Sequence, residues 1–331
     1  EYLALAGTAT DPDSVFRFET LAAVALYRAG KMVEADREAA ELAKRHKRRS
    51  DLPEMKARFI LEKGRAYDRA KRFDEARAQY GLIVKKYPLT SWADDAAYAL
   101  GLSLVAAGRF VEGADTMERL LEDFPSTGLR FDVLLSIGLA RLQAQQYSRA
   151  IAALGRVWEE EGAKRLWRST FEALLNAYRD LRYWDAAIRV TRTYLNRFPD
   201  AEDALDRRMD IGQFYLRIGQ WDEAVRQYRP LLAEADPERE AEIQYYIGEA
   251  FQNKGDYRTA ILEFLKVEIL GRKTKLDWGV TAMYQAGVCY RKLGDLEGAA
   301  RMFRRIIEET GSDSNYGRAA AKRLDEIRSA K

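Results

Sequence analysis

"IGQFYLRIGQWDEAVRQY", residues 211–228, is the stretch that decides how this chain folds. Ile211, Gly212 and Tyr215 fall on one face of a first helix, and Gly212 has no side chain to hold a neighbouring helix away. Gly219 then ends that helix, because a left-handed C-cap costs glycine nothing sterically. Trp221 opens a second helix by packing back over the turn, and Ala224 lets the two helices cross closely. Tyr228 and Leu232 continue the buried stripe at i, i+4 spacing. The unit is expected to end near Pro237, as others end at Pro88, Pro125 and Pro199, where proline stops a helix and starts a turn.

The same unit recurs along nearly the whole chain. Turns of the form Gly-x-aromatic or Gly-x-Leu stand at Gly108-Phe110, Gly219-Trp221, Gly255-Tyr257 and Gly294-Leu296. On the first helix of each unit the crossing residues are Gly64, Gly101, Gly138, Leu175, Gly212, Gly248 and Gly287, separated by 37, 37, 37, 37, 36 and 39 residues. Twelve positions further on come Ala76, Gly113, Ala150, Ala187, Ala224, Ala260 and Ala299. A weaker first unit aligns on Gly30, Met32 and Ala35. Self-similarity at this period marks a solenoid of helical hairpins, in which each hairpin buries its apolar face on the next.

A small crossing residue, a Gly-x-aromatic turn, an alanine, an aromatic and a terminal proline together resemble the tetratricopeptide repeat (TPR), over about residues 14–311. The resemblance implies an all-α fold, a right-handed superhelical solenoid of antiparallel helix pairs forming one continuous domain over 1–331. Its expected divisions are a degenerate repeat at 14–50, then repeats one to seven at 55–90, 91–126, 129–162, 166–200, 203–237, 239–271 and 278–311. A capping helix is expected at 312–331, with Tyr316, Ala319, Ala320, Leu324 and Ile327 on its buried stripe. Leu175, Gly113 and Arg141 depart from the pattern: Arg141 takes an aromatic position, and those repeats are expected to pack with adjusted spacing.

Most units exceed the family's 34 residues, and the excess lies after the proline, in "KYPLTSWADDAAY", "DFPSTGLRFDVLL" and "RFPDAEDALDRRM". Small polar residues there are expected to N-cap a longer first helix. Tyr-Pro and Phe-Pro junctions of this form resemble those of bacterial envelope TPR proteins, the lipoprotein of the outer-membrane barrel assembly machinery and the Tol-Pal coordinator. That resemblance favours the periplasm or cell envelope, with the cytoplasm next. The first residues, Glu1-Tyr2 without Met, read as a processed or excised fragment.

Composition sets the function classes. Hydrophobic residues make up 47% and charged residues 32%, and no run approaches the ~20 apolar residues of a membrane span. A net charge of +3 is too mild to imply nucleic acid. One His and one Cys cannot supply a His-rich metal site, a zinc ribbon or a thiol pair, so no metal or cofactor is expected. Cys289 reads as a buried small apolar residue. Asp94-Asp95 and Glu159-Glu160-Glu161 read as solvated helix surface rather than acid–base pairs. No phosphate loop is present, and no catalytic residue is assigned.

The function implied is therefore a non-enzymatic adaptor that binds a helix or peptide of a partner; the alternative is an interaction module of a larger enzyme or signalling protein. In TPR superhelices the first helices line the concave face three before, and one and four after, the crossing residue. Carried over, the partner-binding groove comprises Leu61, Arg65, Tyr98, Leu102, Val105, Leu135, Leu139, Leu142, Arg179, Tyr245, Glu249, Tyr284 and Arg291, beside Asp68, Glu172, Asn176, Met209, Gln213, Leu216, Gln252 and Val288. Repeats two and three contribute an apolar section, either an open docking surface or one covered by the N-terminal region. A secondary surface is read at Arg272 and Trp278, where the period lengthens to 39, and at Arg45 and Arg48 in the basic run around His46. For the basic run the plain reading is a solvated helix C-terminus, and an acidic partner or anionic membrane surface is the alternative. Trp278 either packs onto the following helix or contacts a partner.

Overall fold

The computed structural model describes residues 2–271 and 277–329; all its regular elements are helices, with no strand among the described residues. The chain divides into two compact units, residues 1–177 and 178–331. The first holds α1 (Tyr2–Thr8), α2 (Pro12–Arg28), α3 (Met32–Arg45), α4 (Leu52–Arg69), α5 (Phe73–Lys86), α6 (Ala93–Ala106), α7 (Phe110–Asp123), α8 (Arg130–Gln143), α9 (Tyr147–Glu159) and most of α10 (Trp167–Asp180). The second holds α11 (Trp184–Arg197), α12 (Ala204–Arg217), α13 (Trp221–Tyr228), α14 (Pro237–Lys254), α15 (Tyr257–Gly271), α16 (Trp278–Lys292), α17 (Leu296–Thr310) and α18 (Asn315–Ser329). Within each unit hairpin partners pack together, and first helices also touch the first helix of the next hairpin, as α4 does α6 and α14 does α16. This is the nearest-neighbour packing of a helical-hairpin solenoid.

The turns explain how the hairpins close. Gly108, Gly219, Gly255 and Gly294 are all left-handed, with φ of 75° to 88°. At the same register point the remaining repeats carry Lys71, Gln145 and Arg182, with φ of 58°, 57° and 56°. The residue after each donates its N–H back to the helix, Arg72 to Tyr67 O at 2.9 Å and Arg109 to Leu104 O at 2.9 Å, a Schellman closure that holds whatever the side chain. A non-glycine residue in this region costs about 1–2 kcal/mol, and glycine returns roughly half of that as unfolded-state entropy. Lys71→Gly and Gln145→Gly are each expected to stabilise the chain by ~0.5–1 kcal/mol, read as a higher urea midpoint.

The crossing glycines sit where a side chain has no room. A Cβ at Gly64 would lie 2.4 Å from the Tyr80 ring, and one at Gly212 would lie 2.4 Å from Tyr228. Sixteen residues separate each pair, and Met117, Leu154, Phe264 and Phe303 stand in the same relation to Gly101, Gly138, Gly248 and Gly287. In repeat four the sequence carries Leu175 at the crossing register and Thr191 sixteen residues on; both are fully buried. Gly113 marks a closer approach still, since a Cβ there would meet the Gly101 carbonyl oxygen at 2.8 Å.

Several expectations are corrected. The polar residues after Pro88, Pro125 and Pro199 do not lengthen the following helix: α6, α8 and α12 have 14 residues each, and their caps make no side-chain hydrogen bond. Thr90 instead closes the turn, its hydroxyl donating to Tyr87 O at 2.7 Å, while Ser91 binds the Glu54 carboxylate of the preceding repeat. Pro230 stops α13 after eight residues and a 3-10 segment follows, so Leu231 rather than Leu232 is buried; Pro237 opens α14 behind the Asp236 cap instead of ending a unit. Asp94 and Asp95 are half-buried rather than solvated, because Asp94 accepts from Thr127 and Asp95 faces Arg65. In α18, Ala320, Leu324 and Ile327 are buried as expected, but Ala319 faces solvent.

Arg141 occupies its aromatic position by forming a buried polar cluster. Its side chain is fully buried, with the guanidinium held by Asp115 and by Glu118 at 2.9 Å from α7, and by Gln146 Oε1 at 2.6 Å. Burial works against the charge, and the two carboxylates outweigh it, leaving the guanidinium pKa above its ordinary value. The aliphatic stem fills the space an aromatic ring takes elsewhere.

Candidate functional site

In the first unit the carried-over positions separate by burial. Leu61 is fully buried against Tyr80 and Ile83, so it belongs to the core and not to a groove. Tyr98, Val105 and Leu135 are half-buried against the core, and the Tyr98 hydroxyl is 2.8 Å from Ser136 Oγ across to α8. Leu142 is also half-buried. Leu102 and Leu139 are the exposed members, at 39% and 44%, in the same register position on α6 and α8. The apolar section is thus two exposed leucines on a half-buried bed. The N-terminal helix α1 does not cover them; it packs on α2.

The charged groove positions of this unit are already engaged. Arg65 bonds Glu62 at 3.1 Å and Asp95 at 3.3 Å, linking α4 to α6. Glu62 is buried and also takes Arg28 at 3.1 Å; burial raises its carboxyl pKa, but these cations hold it below the ordinary value. Asp68 accepts from Tyr80 and Ser103 at 2.7 Å each. These groups stitch repeats together and are not free to orient a ligand.

In the second unit Arg179 pairs with Asp210 at 2.7 Å and lies over the Phe214 ring at 5.4 Å. Arg291 pairs with Glu326 at 2.7 Å, and the Tyr284 hydroxyl accepts from Arg323 at 2.9 Å. Both partners belong to α18, so these two carried-over positions of repeat seven are engaged by the C-terminal helix. Met209 is buried. Gln252 donates to Gln285 at 3.1 Å.

This unit also holds an open pocket of about 220 Å³ between α12 and α14. It is lined by Gln213, Leu216, Arg217, Tyr245, Tyr246, Glu249 and Asn253. The two tyrosine rings meet at 73° with centroids 5.7 Å apart. Burial pushes the Glu249 carboxyl pKa up and Arg217 only partly offsets this; Tyr246 is pushed up to about 12, by burial first and then by Glu242 and Glu249. Four of the seven residues were placed on this face by register. Arg217, Tyr246 and Asn253 were not, although the Tyr245-Tyr246 doublet signals that one aromatic ring must turn away from the core.

The secondary surface divides similarly. Arg272 lies outside the described residues. Trp278 opens α16 and packs into the core there, its ring 5.4 Å from Tyr245 and 6.3 Å from Tyr246 of α14. Arg45 is held by Glu19 and by Glu38 at 3.2 Å, and His46 Nε2 lies 2.9 Å from Glu19. Arg48 is exposed. Cys289 is fully buried, and burial pushes its thiol up to about 11.

Two family models, both of the tetratricopeptide repeat, match residues 60–90 with 281–309 and residues 98–165 with 209–273, together more than half of the chain. The chain is a tetratricopeptide repeat protein. Among solved structures, this TPR chain is similar to the C-terminal part of a TPR repeat-containing protein from Cytophaga hutchinsonii, at 12% identity and a TM-score of 0.52, over 78% of this chain and 98% of that one. It is also similar to a TPR protein from Parabacteroides merdae, at 14% identity and a TM-score of 0.43, over 82% and 98%. At 12% identity the likeness to the Cytophaga structure speaks for the fold alone. No curated protein sequence matches the chain. No described helix of this TPR protein is long and apolar enough to cross a membrane.

Proposed function

We propose that this TPR chain is a non-enzymatic scaffold that holds a helix or extended segment of a partner protein against the inner positions of its first helices. The observation that carries the reading is the pair Leu102 and Leu139, exposed at the same register point of adjacent repeats on a half-buried apolar bed. Anchors of this kind suit a segment presenting apolar side chains at one-face spacing. The family supports an interaction role, and the Tyr-Pro and Phe-Pro junctions favour an assembly of the bacterial envelope.

The test is Leu102→Asp with Leu139→Asp in the intact gene product, purified with its partners from the native cell. Partner capture is expected to weaken by roughly 30-fold or more, the factor corresponding to loss of one binding hot spot, with an unchanged helical circular dichroism signal. Undiminished capture overturns the reading. Fractionation of the same cells tests the compartment, and recovery in the cytosol alone overturns the envelope assignment.

A further inference from the structure

We propose that the pocket between α12 and α14 receives a lysine side chain of the partner segment, a proposal that rests on the reading that this face holds a partner. Glu249 is the group that carries it. It is half-buried, lines the pocket and has no hydrogen bond or ion pair among the described residues, whereas the acids around it are engaged. Asp210 is held by Arg179 at 2.7 Å and Arg207 at 3.3 Å, and Glu242 is held by Arg239 at 2.6 Å. Tyr245 and Tyr246 also line the pocket, and the face of a tyrosine ring favours a cation beside a carboxylate. Gln213 and Asn253 add amide oxygens able to accept from an ammonium group.

A second feature points to the same place. The Tyr228 hydroxyl is fully buried and has no hydrogen-bond partner among the described residues, and its pKa is raised by burial first and then by neighbours that include Tyr246 and Glu249. In repeat one the equivalent Tyr80 donates to Asp68, four residues past the crossing glycine. At that point repeat five carries Leu216, which cannot accept, so the Tyr228 hydroxyl is not committed to a protein acceptor and its oxygen is available to accept from an ammonium group. Burial, only partly offset by Arg217, also keeps the Glu249 carboxyl pKa raised, and an ammonium placed against it would reverse that shift. Arg217 is the one cation lining the pocket; it is exposed, and its charge competes with a bound ammonium.

The experiment uses n-butylammonium, which reproduces the end of a lysine side chain, with n-butyrate as the anionic control. The Glu249 carboxyl carbon and the Tyr245 and Tyr246 ring signals are followed by NMR in the full chain. Butylammonium is expected to give saturable shifts and to lower the apparent pKa of Glu249, while butyrate gives none. Glu249→Gln is expected to weaken binding by roughly tenfold or more, as loss of a charge-assisted bond implies, and Arg217→Gln to tighten it. Absence of saturable shifts overturns the proposal, as does binding unchanged by Glu249→Gln. Butyrate binding that disappears in Arg217→Gln would instead make the pocket an anion site. No partner is needed, so failure here leaves the leucine experiment to judge the scaffold reading by itself.

Discussion

Replacing Asp115 and Glu118 together by alanine is expected to destabilise the first unit by about 3–5 kcal/mol, the range found when a buried charge loses its partners. The reason is the asymmetry of the cluster. Arg141 is fully buried, while the two carboxylates are each 43% exposed. Without them the guanidinium keeps only Gln146 of its side-chain acceptors. The converse change, Arg141→Met, leaves two half-exposed acids that hydrate readily and keeps an unbranched chain in the core, so it is expected to cost less, ~1–2 kcal/mol. Urea unfolding, with amide exchange followed in α7 and α8, measures both. Equal costs, or a larger cost for Arg141→Met, would show that the cluster acts through packing alone.

Gly113→Ala is the second large effect, and its sign runs against the repeat pattern. The other repeats carry alanine at this point, and alanine favours a helix over glycine by ~1 kcal/mol, so the pattern alone would forecast stabilisation. The added Cβ would lie 2.7 Å from Val105 Cγ2 and 2.8 Å from the Gly101 carbonyl oxygen. A backbone atom can give way only if α6 and α7 separate, so a net loss of about 1–3 kcal/mol is expected. Gly81→Ala and Gly155→Ala are the controls: both lie within helices, and a Cβ at either meets nothing within 4 Å. These two should stabilise by ~0.5–1 kcal/mol. A midpoint that rises for Gly113→Ala as it does for the controls would show that the close crossing relaxes freely.

These two positions also show how far register carries. Period and residue type located every hairpin turn, because a left-handed residue followed by a helix start leaves a mark at fixed spacing. Even so, the turns at Lys71, Gln145 and Arg182 carry no glycine and emerge only by counting from their neighbours. Departures from the pattern were visible as departures, but their resolution was not. Arg141 needed acceptors that lie 23 and 26 residues earlier, and nothing in the local sequence connects them. The groove positions were legible as a face and illegible as a surface. Register assigns Arg65, Leu102 and Glu249 to equivalent places, yet one is tied into ion pairs, one is exposed and one lines a pocket.

The sequence by itself determined the family, the helix pairs, the crossing glycines and the capping helix, since each follows from local stereochemistry repeated at one period. Tertiary structure alone decided which inner-facing side chains remain available. Availability depends on what adjacent repeats and α18 place against each side chain, through ion pairs such as Arg65 with Asp95 and Arg291 with Glu326. Those contacts join residues 30 and 35 positions apart, and spacing along the chain does not encode how long flexible side chains meet across that distance.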